Sequence, residues 1–362
     1  MIDTNTSNRI TSLRYLLAIL VVFIHNNIVD MAKSIPDLVY NPSVCEFVQQ
    51  NLYILFTSSA VPLFFLFAAY LQAKKSDSYI VLLKKRVKTV LIPYILWIGL
   101  YLFYLLLGKK LLLTVCPSLI ADPDSIISCA SWTISDWMKY IIGYSAETAG
   151  TPLAAPQLWF LRDLFVFVVL SPLFIYLIKK IPVVFFIILC LFCSSANIPF
   201  NPKLNYALFF YIGGLYWGIY DIDLFAKIDA IKWRDLGIMV VFYFCCYYFF
   251  AYIITSIVVV QTLISSLILL KISSLIVKNE KLYSYSEYLS HFSFFIYAIH
   301  MPVLMVIIQK IWFKIIPLTN TVTCLLEYFC VTFIVVIVGT LLGMFIRRFI
   351  NPLFALLCGG RK

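Results

Sequence analysis

The chain has 362 residues, of which 63% are hydrophobic and 12% charged, and its mean hydropathy is +0.97. A water-soluble domain carries about a quarter charged residues, so this composition excludes one. The net charge of +11 reads as the positive-inside bias of a membrane protein rather than as a footprint for nucleic acid.

The first apolar block follows "MIDTNTSNRITSLR" with no small-residue cleavage site after it, and it reads as a retained span. Ten blocks of roughly bilayer-crossing length are expected near 11–30, 50–73, 89–108, 157–178, 181–196, 204–220, 236–255, 257–276, 291–312 and 323–346. The predicted fold is therefore all-α and polytopic, a single transmembrane unit over 1–362 with no repeat and no appended soluble domain.

Arg14 opens the first span and His25 lies deep within it, 11 residues on. At 100° per residue they sit about 20° apart around the axis, separated by ~16 Å of rise, so both project from one face. Leu17, Ala18, Val21 and Val22 lie between them and are modest in size, which predicts space beside the stripe. Arg14 reads either as a snorkelling topology signal or as the inner end of a polar path. An ionisable residue inside a membrane is costly, which moves His25 toward function.

After the second span, "KKSDSYIVLLKKRVK" (74–88) gathers Lys84, Lys85, Arg86 and Lys88 before Pro93. Such clusters signal topology or meet anionic headgroups, and they equally suit a phosphate-bearing cofactor. The longest loop, about 109–156, contains Trp132, Trp137, Tyr140 and Tyr144, which predicts an ordered segment over an external cavity. Of the ten cysteines, Cys45, Cys116 and Cys129 fall in segments placed outside, where a disulfide among them is open.

The fourth span begins "PQLWFLRDLF", in which Trp159 and Arg162 share a face suited to stacking on and hydrogen-bonding a sugar. Pro199 and Pro202 mark the turn between the fifth and sixth spans, and the seventh and eighth must turn near Ile253–Ser256. In the ninth, His300 precedes Pro302, predicting a kink whose freed backbone groups need other partners, while His291 sits at the span boundary.

Most lysines and arginines fall in alternate loops with the N-terminus, so both termini are expected in the cytoplasm. There is no Walker loop, dinucleotide fingerprint, H-E-x-x-H or G-x-S-x-G. The dispersed histidines and near absence of intramembrane carboxylates point to no metal site and weigh against a proton-coupled transporter.

The R-x10-H of Arg14 and His25 resembles the membrane acyltransferase family 3. So do "VPLFFLFAAYL" (61–71), "KKRVKTVLIPYILW" (84–97), "LWFLRDLFVFVVLSPL" (158–173) and "FSFFIYAIHMPV" (292–303), in the expected order over most of the chain. The sequence departs from the family's common pattern at Ala68–Ala69, Lys88 and Gln157, where many members carry Ser-Gly, arginine and histidine. The resemblance implies about ten spans in a bacterial inner membrane. It also implies transfer of an acyl group, most commonly acetyl, from cytoplasmic acyl-CoA to a hydroxyl of a cell-envelope glycan, with no tightly bound cofactor.

On that expectation Arg14, Lys84, Lys85, Arg86 and Lys88 meet the CoA phosphates, and His25 is a general base or an acyl carrier. His300 polarises a reacting group, and Trp159 and Arg162 hold the sugar. Membrane lipids are the other expected partners, and nucleic acid is not one. A flippase for a lipid-linked sugar and a non-catalytic envelope-assembly partner are the alternatives.

Overall fold

A computed structural model describes residues 3–28, 42–75, 77–108, 110–111, 114, 129–194, 203–249 and 258–360, and these are built from helices and their connections. Helix α1 (Thr4–His25) starts where the Asp3 carboxylate accepts the Thr6 amide at 2.8 Å. Helices α2 (Pro42–Leu55) and α3 (Ala60–Ala73) form a pair bent by 47° at a short turn, Thr57–Ser59. That break frees the Phe56 carbonyl within apolar surroundings. Ser59 Oγ donates to it at 3.1 Å, and Ser265 Oγ lies 2.9 Å from it.

Helix α4 (Tyr79–Gly108) widens by one residue per turn over Val87–Leu91, just before Pro93, whose missing N–H such a bulge accommodates. A short helix α5 (Ile134–Ile141) belongs to the long loop. It leads to α6 (Trp159–Lys180), α7 (Pro182–Ser194), α8 (Leu204–Ile219), the short α9 (Leu224–Ala230) and α10 (Trp233–Phe249). There follow α11 (Val258–Lys278), α12 (Glu280–Ser290), α13 (Ser293–Ile315), α14 (Thr321–Phe349) and α15 (Asn351–Leu357).

Ten spans were expected; six helices among the described residues are long and apolar enough to cross a membrane, or seven with α2–α3 taken as one span. The other three expected spans fall on α7, α8 and α10, whose described lengths are 13, 16 and 17 residues, α7 and α10 ending where the described residues end. The turns expected at Pro199–Pro202 and Ile253–Ser256, and Cys116, lie outside the described residues.

Side-chain bonds tie the helix ends into two faces. At the Thr4 end, Arg9 pairs with Asp229 at 2.6 Å, Lys74 with Asp221, and Tyr220 donates to the Ile178 carbonyl. At the His25 end, Gln49 donates to Asn27 and Asn51 to Tyr248. The first helix begins and the last long helix ends at the Thr4 end, where Arg347 lies over the Phe292 ring beside α12. The runs 74–88, Lys179–Lys180 and Arg347–Arg348 gather there too, consistent with the charge bias.

Tight packing comes from small residues where lipid offers no hydrophobic drive. Gly214 and Gly218 on α8 meet Leu66, Ala69 and Ala73 on α3 so closely that no side chain fits between them. The departure at Ala68–Ala69 thus lies on this seam. At the C-terminal end, Trp97 Nε1 donates to the Leu357 carbonyl at 3.1 Å, and Gly359 turns at φ +65° against Thr89.

Candidate active site

His25 is the last residue of α1, and its Nδ1 lies 2.9 Å from the Val21 carbonyl one turn back. His300 is fully buried, with Nδ1 3.2 Å from the Ile296 carbonyl. Carbonyls only accept, so each Nδ1 carries a proton. The two rings meet edge to face with centroids 4.8 Å apart, and His300 Nε2 lies 3.2 Å from His25 Nδ1. His300 Nε2 is therefore the acceptor of a shared Nδ1–H, assigned here from the bonding pattern. This leaves His25 Nε2 as a bare lone pair on a half-buried ring.

The kink predicted at Pro302 holds His300 in place. Helix α13 loses helical geometry at Met301 (φ −121°, ψ 155°). The freed carbonyls are taken up by α4 and by the turn before α6. Gln157 Nε2 donates to Ala298 O at 2.9 Å and Met301 O at 2.5 Å, Tyr101 donates to Ala298 O at 2.7 Å, and Tyr297 donates back to Gln157 O. Gln157, noted above only as a departure, is the side chain that satisfies the break.

Beyond His25, Asn26 is fully buried and donates toward the Tyr328 carbonyl and Thr332 Oγ1, both at 3.2 Å. Gln309 Nε2 bridges Asn26 Oδ1 (3.1 Å) and Glu327 Oε1 (3.2 Å). Glu327 is fully buried, and its Oε2 has no hydrogen-bond partner among the described residues. Sequence reasoning passed over this carboxylate. Its signal was a lone acid inside the apolar run "CLLEYFC".

Trp159 packs its ring 6.1 Å from Phe65 and 6.2 Å from Tyr206, with Lys203 Nζ 5.5 Å above it. Trp159 is thus buried, 5% exposed, among Phe65, Tyr206 and the Lys203 cation. Neither Lys203 nor Tyr206 carried a sequence motif.

Arg162 points elsewhere. Its Nε pairs with Asp163 at 2.7 Å, and its terminal nitrogens donate to the Ile142 and Gly150 carbonyls. Its guanidinium lies 3.8 Å from the centroid of Tyr144, which donates to Asp163 at 2.5 Å. Burial, with Asp163 alongside, pushes the Tyr144 hydroxyl up, so it stays a donor. Trp132 stacks on Tyr140 at 4.2 Å, and a Thr133–Asp136 capping box starts α5, so the described part of the long loop is ordered as expected.

Arg14 lies midway along α1, ten residues from Thr4 and eleven from His25, and it is exposed. Ala18, Val21, Leu17 and Val22 are at most 1% exposed. The space expected beside them is filled by neighbouring helices, which corrects the sequence reading. The stripe is open at Arg14 and at His25 and sealed between. Of the basic cluster, Lys84, Lys85 and Lys88 are exposed, Lys85 pairing with Asp77. Arg86 turns inward, donating to the Ala68 carbonyl at 3.3 Å.

Cys45 and Cys129 are free thiols, one buried and the other exposed. No group of three or more metal-ligating side chains occurs among the described residues.

Residues 7–344 match a family model described as "Acyltransferase domain". The succinoglycan biosynthesis protein ExoH of Rhizobium meliloti (strain 1021) is similar to this chain, 26% identical over 374 residues that cover 99% of this chain and 94% of that protein. No solved structure matches.

Proposed function

This chain belongs to the acyltransferase family whose domain model spans residues 7–344 and is a multi-pass membrane acyltransferase. We propose that it moves an acetyl group from acyl-CoA to a hydroxyl of a cell-envelope glycan, with His25 as general base. The observation that carries this reading is the bare Nε2 of His25, set by the Val21 and His300 bonds on its other nitrogen. A relative named for succinoglycan biosynthesis supports a glycan acceptor.

In this mechanism the sugar hydroxyl gives its proton to His25 Nε2 as its oxygen attacks the thioester carbonyl. The carbon–sulfur bond then breaks, and the leaving thiolate takes the proton back from the imidazolium. His300 holds the ring in the productive tautomer and accepts a stronger hydrogen bond when His25 is charged. Tyr206, partly exposed, offers an aromatic face to the sugar, and the buried Trp159 backs it. Arg162 supports that site by holding the segment 142–150 against α6.

The donor's phosphates meet Arg86 and the exposed Lys84, Lys85 and Lys88 at the Thr4 end, and Arg14, midway along α1, draws the donor inward. The pantetheine arm reaches His25 when the contacts at Ala18 and Val21 open. The Thr4 end then faces the cytoplasm of a bacterial inner membrane, and the His25 end faces outward.

Sealed membrane vesicles of each orientation, given acetyl-CoA labelled in its acetyl group, test this reading. Label should enter glycan when CoA is presented at the Thr4 end and not at the other. Label entering from the His25 end alone, or no label in any glycan with either orientation, would overturn it.

A further inference from the structure

A second cavity, ≈ 410 Å³, opens at the His25 end between α2 and α10. Its walls are Glu46, Phe47, Gln49, Gln50, Tyr247 and Tyr248. The volume is in the range of small-ligand sites. The lining is unusual for this chain. Gln49 and Gln50 follow Glu46 by three and four residues, so one helix face carries a carboxylate and two carboxamides toward two tyrosines.

The aromatic groups are displayed rather than buried. Phe47 is 58% exposed and Tyr248 50%, and their rings stack with centroids 6.3 Å apart. The Tyr248 hydroxyl is held by Asn51 at 3.0 Å, which fixes that ring as a wall. Gln49 Oε1 is enclosed and has no hydrogen-bond partner among the described residues, while its Nε2 donates to Asn27, two residues past His25.

Flat aromatic faces stack on the C–H face of a pyranose, and carboxamides with a single carboxylate accept and donate to its hydroxyls. No cation lines the cavity, and Glu46 would repel an anionic sugar. The Gln49–Asn27 bond joins this wall to the end of α1, adjacent to the imidazole.

We infer that this cavity is an acceptor subsite for a neutral hexose unit of the glycan, next to the unit whose hydroxyl reaches His25. The inference rests on the reading of His25 as the acyl-transfer centre. It makes the preferred acceptor an oligomer or polymer rather than a single sugar.

The test uses the purified full chain in lipid nanodiscs and neutral oligosaccharides released from the producing cells' own surface polysaccharide, sized to one to four units. Wild-type KM should fall at least tenfold from one unit to four. Tyr247→Ala and Gln50→Ala should raise KM for the four-unit acceptor about tenfold while leaving kcat/KM for the single unit and the thermal midpoint unchanged. Equal KM for all lengths in the wild type, or variants that change both acceptors alike, would overturn the subsite.

A binding titration with His25→Ala keeps the two readings apart. Four-unit binding that Tyr247→Ala abolishes, in a protein whose wild type transfers no label, would uphold the subsite and sink the acyl-transfer reading. Transfer by the wild type with no four-unit binding to His25→Ala would do the reverse.

Discussion

At the scale of residues, the account rests on which nitrogen of His25 is bare. His25 and His300 share one bond at 3.2 Å; the same His25 Nδ1–H lies 2.9 Å from the Val21 carbonyl, and His300 Nδ1 lies 3.2 Å from the Ile296 carbonyl. His300→Ala removes the acceptor opposite His25 Nδ1–H and should slow transfer about 5- to 10-fold, the rate equivalent of one hydrogen bond of ~1–1.5 kcal/mol. His300→Gln offers a carbonyl oxygen in its place and should recover most of that loss in the same initial-rate assay. Equal rates for His300→Ala and the wild type would detach His300 from the chemistry. Transfer should also fall on acidification, because a protonated His25 has no lone pair to accept the hydroxyl proton. Arg14, His25 and His300 were legible in the sequence because a charged or titratable group inside an apolar run stands out locally. Glu327 had the same local signal and was passed over. Lys203 was not legible as a site group, nor was the inward turn of Arg86, since only packing decides that one covers Trp159 and the other reaches into the bundle.

At the scale of elements, two irregular stretches matter more than the regular helices. The kink of α13 was readable from His300 and Pro302, because proline removes a backbone donor wherever it stands. Its satisfaction by Gln157 and Tyr101 was not readable, since those residues are about 140 and 200 positions away in the chain. Gln157→Leu should leave the Met301 carbonyl without its Gln157 donor, at about 1–3 kcal/mol, while the Ala298 carbonyl keeps Tyr101. A lower thermal midpoint in detergent, with Gln157→Leu transferring more slowly than its stability loss explains, is the expected outcome. An unchanged midpoint would mean that the break is satisfied otherwise. The segment 129–158 shows the same limit. Its aromatic residues predicted order, but the Arg162 bonds that secure it to α6 are long-range and carry no motif. Arg162→Ala would remove the cation paired with the fully buried Asp163 carboxylate, a change worth about 3–5 kcal/mol. Faster proteolysis between 142 and 150 should report it.

At the scale of the whole molecule, hydropathy gave the helical membrane architecture, and the charge pattern gave one end of the bundle its lysines and arginines. Six or seven of the ten expected crossings stand among the described residues, and the other three fall on the apolar helices α7, α8 and α10, two of which end where the described residues end. The sealed stretch from Leu17 to Val22 was also invisible, since small side chains can border a path or be packed shut. Orientation is checked with Cys129, an exposed thiol on the loop at the His25 end. A variant keeping only this cysteine should react with an impermeant maleimide on cells whose outer membrane is permeabilised and inner membrane intact. Reaction only after lysis would reverse the orientation. The most direct measurement is the initial rate of label transfer from acetyl-CoA to glycan by the purified protein, wild type against His25→Ala, with both shown to melt alike. The account predicts a fall of about 10²-fold or more, the usual worth of a general base. Equal rates from two equally folded proteins would contradict it.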